Sequence, residues 1–467
     1  MANNLLAASD VLRTIGSVLL AILILLLMIT VHEFGHYLAG KIFKFKIEEF
    51  SIGFGPAFFK IKRKKSGELF AVRLIPLGGY CAFAGEDGLE EEHPFFKRKE
   101  KGKETAAPEK EAVSGETVLV TAPLAKSANE APVSEIPPAK EPPVSEIPPV
   151  EGTAEGTEKG RKKRPAKGPS RKELWTEEGA FTTMHPWKRI VVLLAGAIMN
   201  YLLALLLITA CLLGYGQTMP AVYTMESAGE LPAEYLEYSL KDRDILLKAG
   251  GSNLYLTTDL ARAVNGKKAG DLIEMVVSRA IGLEKWTDED GTEHVTFDHR
   301  EEMTVSVMLR ADVSVKNSAD IEGVYQALGI ATPATGSVRF GFFETLGRSF
   351  IYSWKIAGSI LKIIGELFTG NLGLSALGGP VTTISTTATV ASRSFRGFLE
   401  IAGFIGVNLA VFNLLPVPAL DGSKIVFTAI EWARGRPISR KIEAIIHFAG
   451  LIFLIGFAIL VDILQFV

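Results

Sequence analysis

The 467-residue chain has only two cysteines, Cys81 and Cys211. One follows a Gly-Gly-Tyr turn and the other sits in an apolar run, so neither a disulfide framework nor a cysteine-based metal site is supported. Excess charge of one sign is also lacking. The formal net charge is -2, which gives no reason to propose a nucleic-acid partner. Histidine is scarce, at seven residues. An even spread of apolar residues is missing as well: some stretches are almost wholly apolar, others are built from Pro, Glu, Lys and Ser. A water-soluble chain distributes its apolar residues more evenly, so this segregation points to a membrane protein.

Four stretches qualify as spanning helices. A span needs about 20 mainly apolar residues. The first covers residues 15–40; its apolar run ends at Val31, so the helix must continue through His32–Leu38 to cross. That run is longer than a signal-peptide core and lacks a basic flank before it and a small-residue cleavage site after it, so we read it as a retained helix. The others cover 188–214, 398–416 and 445–465. Basic residues cluster after the first helix (Lys41, Lys44, Lys46), before the second (Lys188, Arg189) and between the third and fourth (Lys424, Arg434, Arg436, Arg440, Lys441). The positive-inside bias then puts both termini outside and residues 41–189 and 416–444 in the cytoplasm.

Between the spans the composition changes repeatedly. Residues 41–85 alternate glycines with β-formers and read as short strands and turns close to the membrane. Residues 86–172 are rich in Pro, Glu and Lys, and the heptad Pro132–Pro138 recurs at Pro143–Pro149. Such a composition buries too little apolar surface to offset ordering entropy, so a disordered cytoplasmic insert is expected, read as a spacer in preference to a Pro-motif ligand. Residues 217–335 read as a soluble α/β domain on the outer side, with a polar hairpin around Asp288–Gly291. Residues 340–370 read as an amphipathic helix lying at the interface.

The chemistry concentrates in His32-Glu33-Phe34-Gly35-His36. Residues four apart share one helix face, so both imidazoles can bind one Zn²⁺. Zinc polarises a carbonyl and lowers the pKa of a bound water towards about 7, and the adjoining Glu33 is the candidate base that takes its proton. Charged side chains cost roughly 2.5–3.5 kcal/mol each at the bilayer centre on insertion scales, so ionisable groups at membrane depth are expected to have a role. A catalytic zinc needs a third protein ligand. Asp421, in Asn413-Leu-Leu-Pro-Val-Pro-Ala-Leu-Asp421-Gly422, closes the third span on the same side as His32. The alternative is that Asp421 only caps the next helix. The other histidines read as solvated (His294, His299), loop residues (His93, His185) or interfacial packing (His447), and Asn200, Asn408 and Asn413 are polar residues within spans.

These motifs, with Leu77-Gly-Gly-Tyr80, Gly85-Glu86, Leu194-Ala-Gly196 with Asn200, and Gly379-Pro-Val381, occur in an order that resembles the site-2 protease family, specifically its bacterial regulator-of-sigma-E type. The resemblance implies a multi-pass α-helical membrane protein with four transmembrane helices, a membrane-associated re-entrant β-loop at 41–85 and one extracytoplasmic PDZ-like α/β domain at 217–335. It implies zinc held by His32, His36 and Asp421, Glu33 as base, and substrate handling by Asn408, Asn413, Gly78 and Gly79. It further implies a bacterial cell membrane location, an active site near the cytoplasmic face, the lipid bilayer as surroundings, and single-span substrates such as anti-sigma factors or remnant signal peptides. The chain departs from the family pattern at Ala197, where proline is usual, at Ser423, where a second glycine is common, and in its long insert. Two other readings were weighed. A catalytically silent scaffold holding partners through the PDZ-like domain conflicts with the complete ligand set. A metal transporter would need more spans and a polar stripe through them.

Overall fold

The computed structural model describes residues 2–64, 66–86, 179–226, 239–282, 284–287, 293–317, 320–374 and 377–466. The expected insert lies outside the described residues apart from Glu86, as do the Asp288–Gly291 turn and His93.

Among the described residues, four helices are long and apolar enough to cross a membrane. They are α1 (Ala2–Ile42), α2 (Pro186–Tyr215), α7 (Phe395–Leu414) and α9 (Arg440–Phe466). With the sheet-containing regions between them, they fit a membrane protein. In α1 the division of faces is visible at four-residue spacing. Ile24, Met28, His32 and His36 are buried, while Ile15, Leu19, Leu23 and Leu27 are exposed. Leaving such side chains in water rather than in an apolar medium costs roughly 1.5–3 kcal/mol each, so the outer stripe needs lipid. Proline at the first position starts α2, where its missing N–H costs nothing. The Ser394 hydroxyl caps α7 by accepting from Gly397 N–H at 3.0 Å. Pro416 ends α7, because the residue before a proline is pushed to extended backbone; Leu415 has φ -67° and ψ 142°.

Strands β1 (Ile47–Lys62) and β2 (Leu69–Phe83) form an antiparallel hairpin that doubles over on itself. Glu49–Ile52 pairs with Gly79–Ala82 and also with Leu69–Val72. Bends at Gly53, Gly55 and Gly78, all with positive φ, make this possible. Its inner edge packs on α1 and α2 through Phe45, Phe83, Phe181 and Val192.

The far end of α2 leads into a separate antiparallel sheet of order β10-β3-β4-β6-β9, with β5 beside β4. These strands are β3 (Gln217–Met225), β4 (Ile245–Ala249), β5 (Ser252–Asn253), β6 (Leu272–Ile281), β9 (His299–Met308) and β10 (Ile330–Val338). A small hairpin, β7 (Glu284–Thr287) with β8 (Glu293–Thr296), extends from it. Helices α3 (Thr257–Val264) and α4 (Glu322–Ala327) cover the sheet over a core that includes Leu246, Leu254, Leu260, Met275 and Leu309. Helix α5 (Phe342–Phe368) returns the chain to the bundle, where Ile356 and Ile360 pack against Ala204, Ile208 and Val407. Helix α6 (Pro380–Arg393) lies against α1 and α7. Helix α8 (Asp421–Arg434) connects α7 to α9.

Candidate metal centre

The buried stripe of α1 delivers His32 and His36 to one point, their rings edge to face at 4.7 Å. Asp421 arrives from elsewhere. After Pro416 the chain turns through Ala419, whose φ is 77°, and Asp421 opens α8. Its Oδ2 lies 2.9 Å from His32 Nε2 and 3.2 Å from His36 Nε2, and the two nitrogens are 3.1 Å apart. Adjacent ligands of a tetrahedral zinc with bonds of about 2.0–2.1 Å lie about 3.3 Å apart, so this triangle has the size of one face of such a site. Burial pushes the Asp421 carboxyl up, but its bonds to His32 and His36 outweigh this and hold it well below the usual carboxylate range. The start of a 14-residue helix also favours the anion. The donors therefore suit a divalent ion, and their carboxylate faces the imidazoles.

The groups behind the ligands fit the same ion. His36 Nδ1 donates to the Val192 carbonyl at 2.8 Å, which leaves Nε2 as the metal-facing lone pair. His32 Nδ1 lies 3.4 Å from the Asn200 amide and 3.3 Å from the Asn413 amide. If Nε2 is committed to a metal, Nδ1 carries the proton and needs an acceptor. Asn200 Oδ1 is buried and has no partner among the described residues, so a half-turn of that amide supplies one. Glycines make the room. A methyl group on Gly196 would stand 2.5 Å from His36 Nε2 and 2.7 Å from His32 Cε1. One on Gly35 would stand 2.8 Å from the Ala195 carbonyl carbon, so α1 and α2 approach closely beside the ligands. Glu33 adjoins His32 on the hairpin side, where a methyl on Gly79 would come within 3.2 Å of its Cγ.

The other expected site residues divide. Asn413 joins the centre, but Asn408 donates to the Phe404 carbonyl of its own helix at 2.9 Å. Gly79 touches Glu33, whereas Gly78 packs on the Phe54 ring. The sequence marked Asn200 as a polar residue within a span and as a companion of the Leu194-Ala-Gly196 motif, and in the fold it neighbours His32. The Val192 carbonyl carried no sequence signal at all.

Two imidazoles on a helix long and apolar enough to span a membrane, a carboxylate just past a second such helix and Glu33 beside them define the class: a metallopeptidase of membrane type. The chain belongs to peptidase family M50, whose model matches residues 20–457. It is 26% identical over 445 residues to the zinc metalloprotease RasP of Geobacillus kaustophilus, covering 94% of each chain. It is also 26% identical over 450 residues to the regulator of sigma-W protease RasP of Bacillus subtilis, covering 94% of this chain and 96% of that one. The protein is thus a zinc metalloprotease of the membrane, and His32, His36 and Asp421 are placed to hold the metal.

Proposed function

We propose that the protein is an intramembrane endopeptidase that hydrolyses peptide bonds within or near the transmembrane segments of single-span proteins. The observation that carries this reading is the triad itself. Two ligands come from the spanning helix α1 and the third from the turn just past α7, so any bond cut there must come to membrane depth. His32, His36 and Asp421 would hold zinc, which supplies polarisation of the scissile carbonyl and of the attacking water. Glu33 takes one proton from that water as its oxygen bonds to the carbonyl carbon. It then gives the proton to the departing amine as the C–N bond breaks.

A helical substrate has its amides committed to its own hydrogen bonds and must unwind locally before it can be cut. The doubled hairpin of β1 and β2 brings strand backbone beside Glu33, which supports pairing with an unwound stretch by β-addition. Asn413 is proposed for substrate handling, and its amide also lies 3.3 Å from His32 Nδ1. Asn408 would reach substrate only by releasing Phe404. The 217–335 domain is read as PDZ-like, on the outer face with both termini, and the centre as near the cytoplasmic face. Anti-sigma factors and remnant signal peptides are the proposed substrates, and the similarity to the regulator of sigma-W protease of Bacillus subtilis favours the first.

The test is Glu33→Gln in purified full-length protein with a model single-span substrate. We expect cleavage to fall by about 10²–10⁴-fold with zinc content unchanged. Cleavage at the parental rate would end the proteolytic assignment of Glu33.

A further inference from the structure

The loop that carries Asp421 is held in part by its own bonds, Val417 N–H to the Leu415 carbonyl at 2.7 Å and Leu420 N–H to the Val417 carbonyl at 3.1 Å, which leave Ala419 to be held from outside. Ala419 sits in the left-handed region at φ 77°, which disfavours a residue with a Cβ. Pro416 and Pro418 supply no N–H to the loop. What meets it comes from α9. Ala419 N–H donates to His447 Nδ1 at 3.0 Å. One turn further along, a methyl on Gly450 would stand 2.8 Å from both the carbonyl carbon and the oxygen of Pro418. His447 and Gly450 share a face of α9 at a spacing of three. The His447 ring also lies 5.7 Å from that of Phe427, on the helix that Asp421 opens. By contrast, α9 is little buried along its length, so this contact is one of the few that tie it to the rest of the molecule.

We propose that His447 is a positioning residue for Asp421: by accepting the Ala419 amide it holds the strained loop that presents the carboxylate to His32 and His36. Satisfied packing of an interfacial histidine does not explain why its acceptor meets a left-handed non-glycine two residues from Asp421, nor why Pro418 seats where only a glycine leaves room. The fourth spanning helix and the metal centre are then energetically coupled, and displacing α9 loosens the third ligand. This inference rests on Asp421 being a zinc ligand.

The experiment uses the full-length zinc-loaded protein in detergent. It measures the rate of zinc release to excess chelator and the visible spectrum of the cobalt(II)-substituted form, alongside cleavage. His447→Leu keeps the bulk but loses the acceptor, and we expect zinc release about 10–100-fold faster with an altered cobalt spectrum. His447→Asn places an oxygen where Nδ1 stood, and is expected to stay within about threefold of the parent. Adding Ala419→Gly to His447→Leu removes the left-handed cost and is expected to restore most of the retention. Parental zinc release in His447→Leu, or equal damage in His447→Asn, overturns the proposal. If His447→Leu cannot be recovered monodisperse, Gly450→Ala tests the same loop from its other contact, and parental release there overturns it too. Asp421→Ala separates the premises. Parental zinc retention in that protein defeats the ligand assignment and the proposal with it. Zinc loss there beside parental His447→Leu defeats the positioning role alone.

Discussion

At the scale of single residues, glycine matters as much as the ligands. Gly196 is the floor under both imidazoles, so Gly196→Ala forces the rings or α2 to move. Buried backbone and ring atoms have little freedom to yield, since interiors are packed like organic crystals. We expect Gly196→Ala to fold but to lose about 10–100-fold in zinc affinity, read by chelator competition. An alanine variant with parental affinity would mean the rings re-seat freely. The ligands themselves were legible because His-x-x-x-His spacing places two rings on one helix face whatever surrounds them. Asp421 was legible from the proline-flanked turn beyond a span. Asn200 and Gly196 were visible as members of one motif but without a role toward the imidazoles, since that role depends on which helix crosses α1 there.

At the scale of elements, α8 must be fixed if Asp421 is to point correctly. Its far end is tied to α2 by a buried ion pair, Arg189 Nη1 to Glu431 Oε2 at 2.7 Å. The Arg189 guanidinium also lies 4.9 Å from the Phe181 ring centroid, and Glu431 Oε1 accepts from Ile438 N–H at 3.0 Å. Removing one partner strands a buried charge, so Glu431→Leu should cost about 3–5 kcal/mol, whereas replacing both partners with apolar groups is often neutral. Thermal melts of Glu431→Leu and of the Arg189→Met/Glu431→Leu double in detergent check this, with the double expected near the parent. If the single and double variants melt alike, the pair is not what holds α8.

The same scale shows where sequence reading stopped. The apolar runs located the spans, because length and hydropathy are local properties. Partnership between elements is not local. Gly379-Pro-Val381 stood out only as a motif. In the fold, Asp462 of α9 accepts from Val381 N–H at 3.0 Å at the start of α6, and a methyl on Gly379 would stand 2.9 Å from the Asp462 backbone nitrogen. Likewise the hairpin's glycines signalled turns, but the doubling that brings Gly79 to Glu33 arises from pairing Glu49–Ile52 on both edges.

At the scale of the whole molecule, the metal centre and the six-stranded sheet lie at opposite ends of α2, and the chain between Glu86 and Gly179 departs from the metal-centre end. Its two ends meet there. Phe181 N–H donates to the Ala84 carbonyl at 2.8 Å and Lys46 N–H to the Gly179 carbonyl at 2.9 Å. Glu86 also pairs with Lys424 at 2.8 Å, one turn beyond Asp421. A chain that leaves and returns at one closed point can be shortened without moving what it connects. Because the two ends meet, about eight Gly and Ser residues in place of residues 87–178 can join them. We therefore expect the shortened protein to cleave a model substrate at close to the parental rate and to melt no lower. A large loss of cleavage with the fold and zinc content intact would show that the segment acts on the reaction, and the Lys424–Glu86 contact beside Asp421 is where its influence would enter.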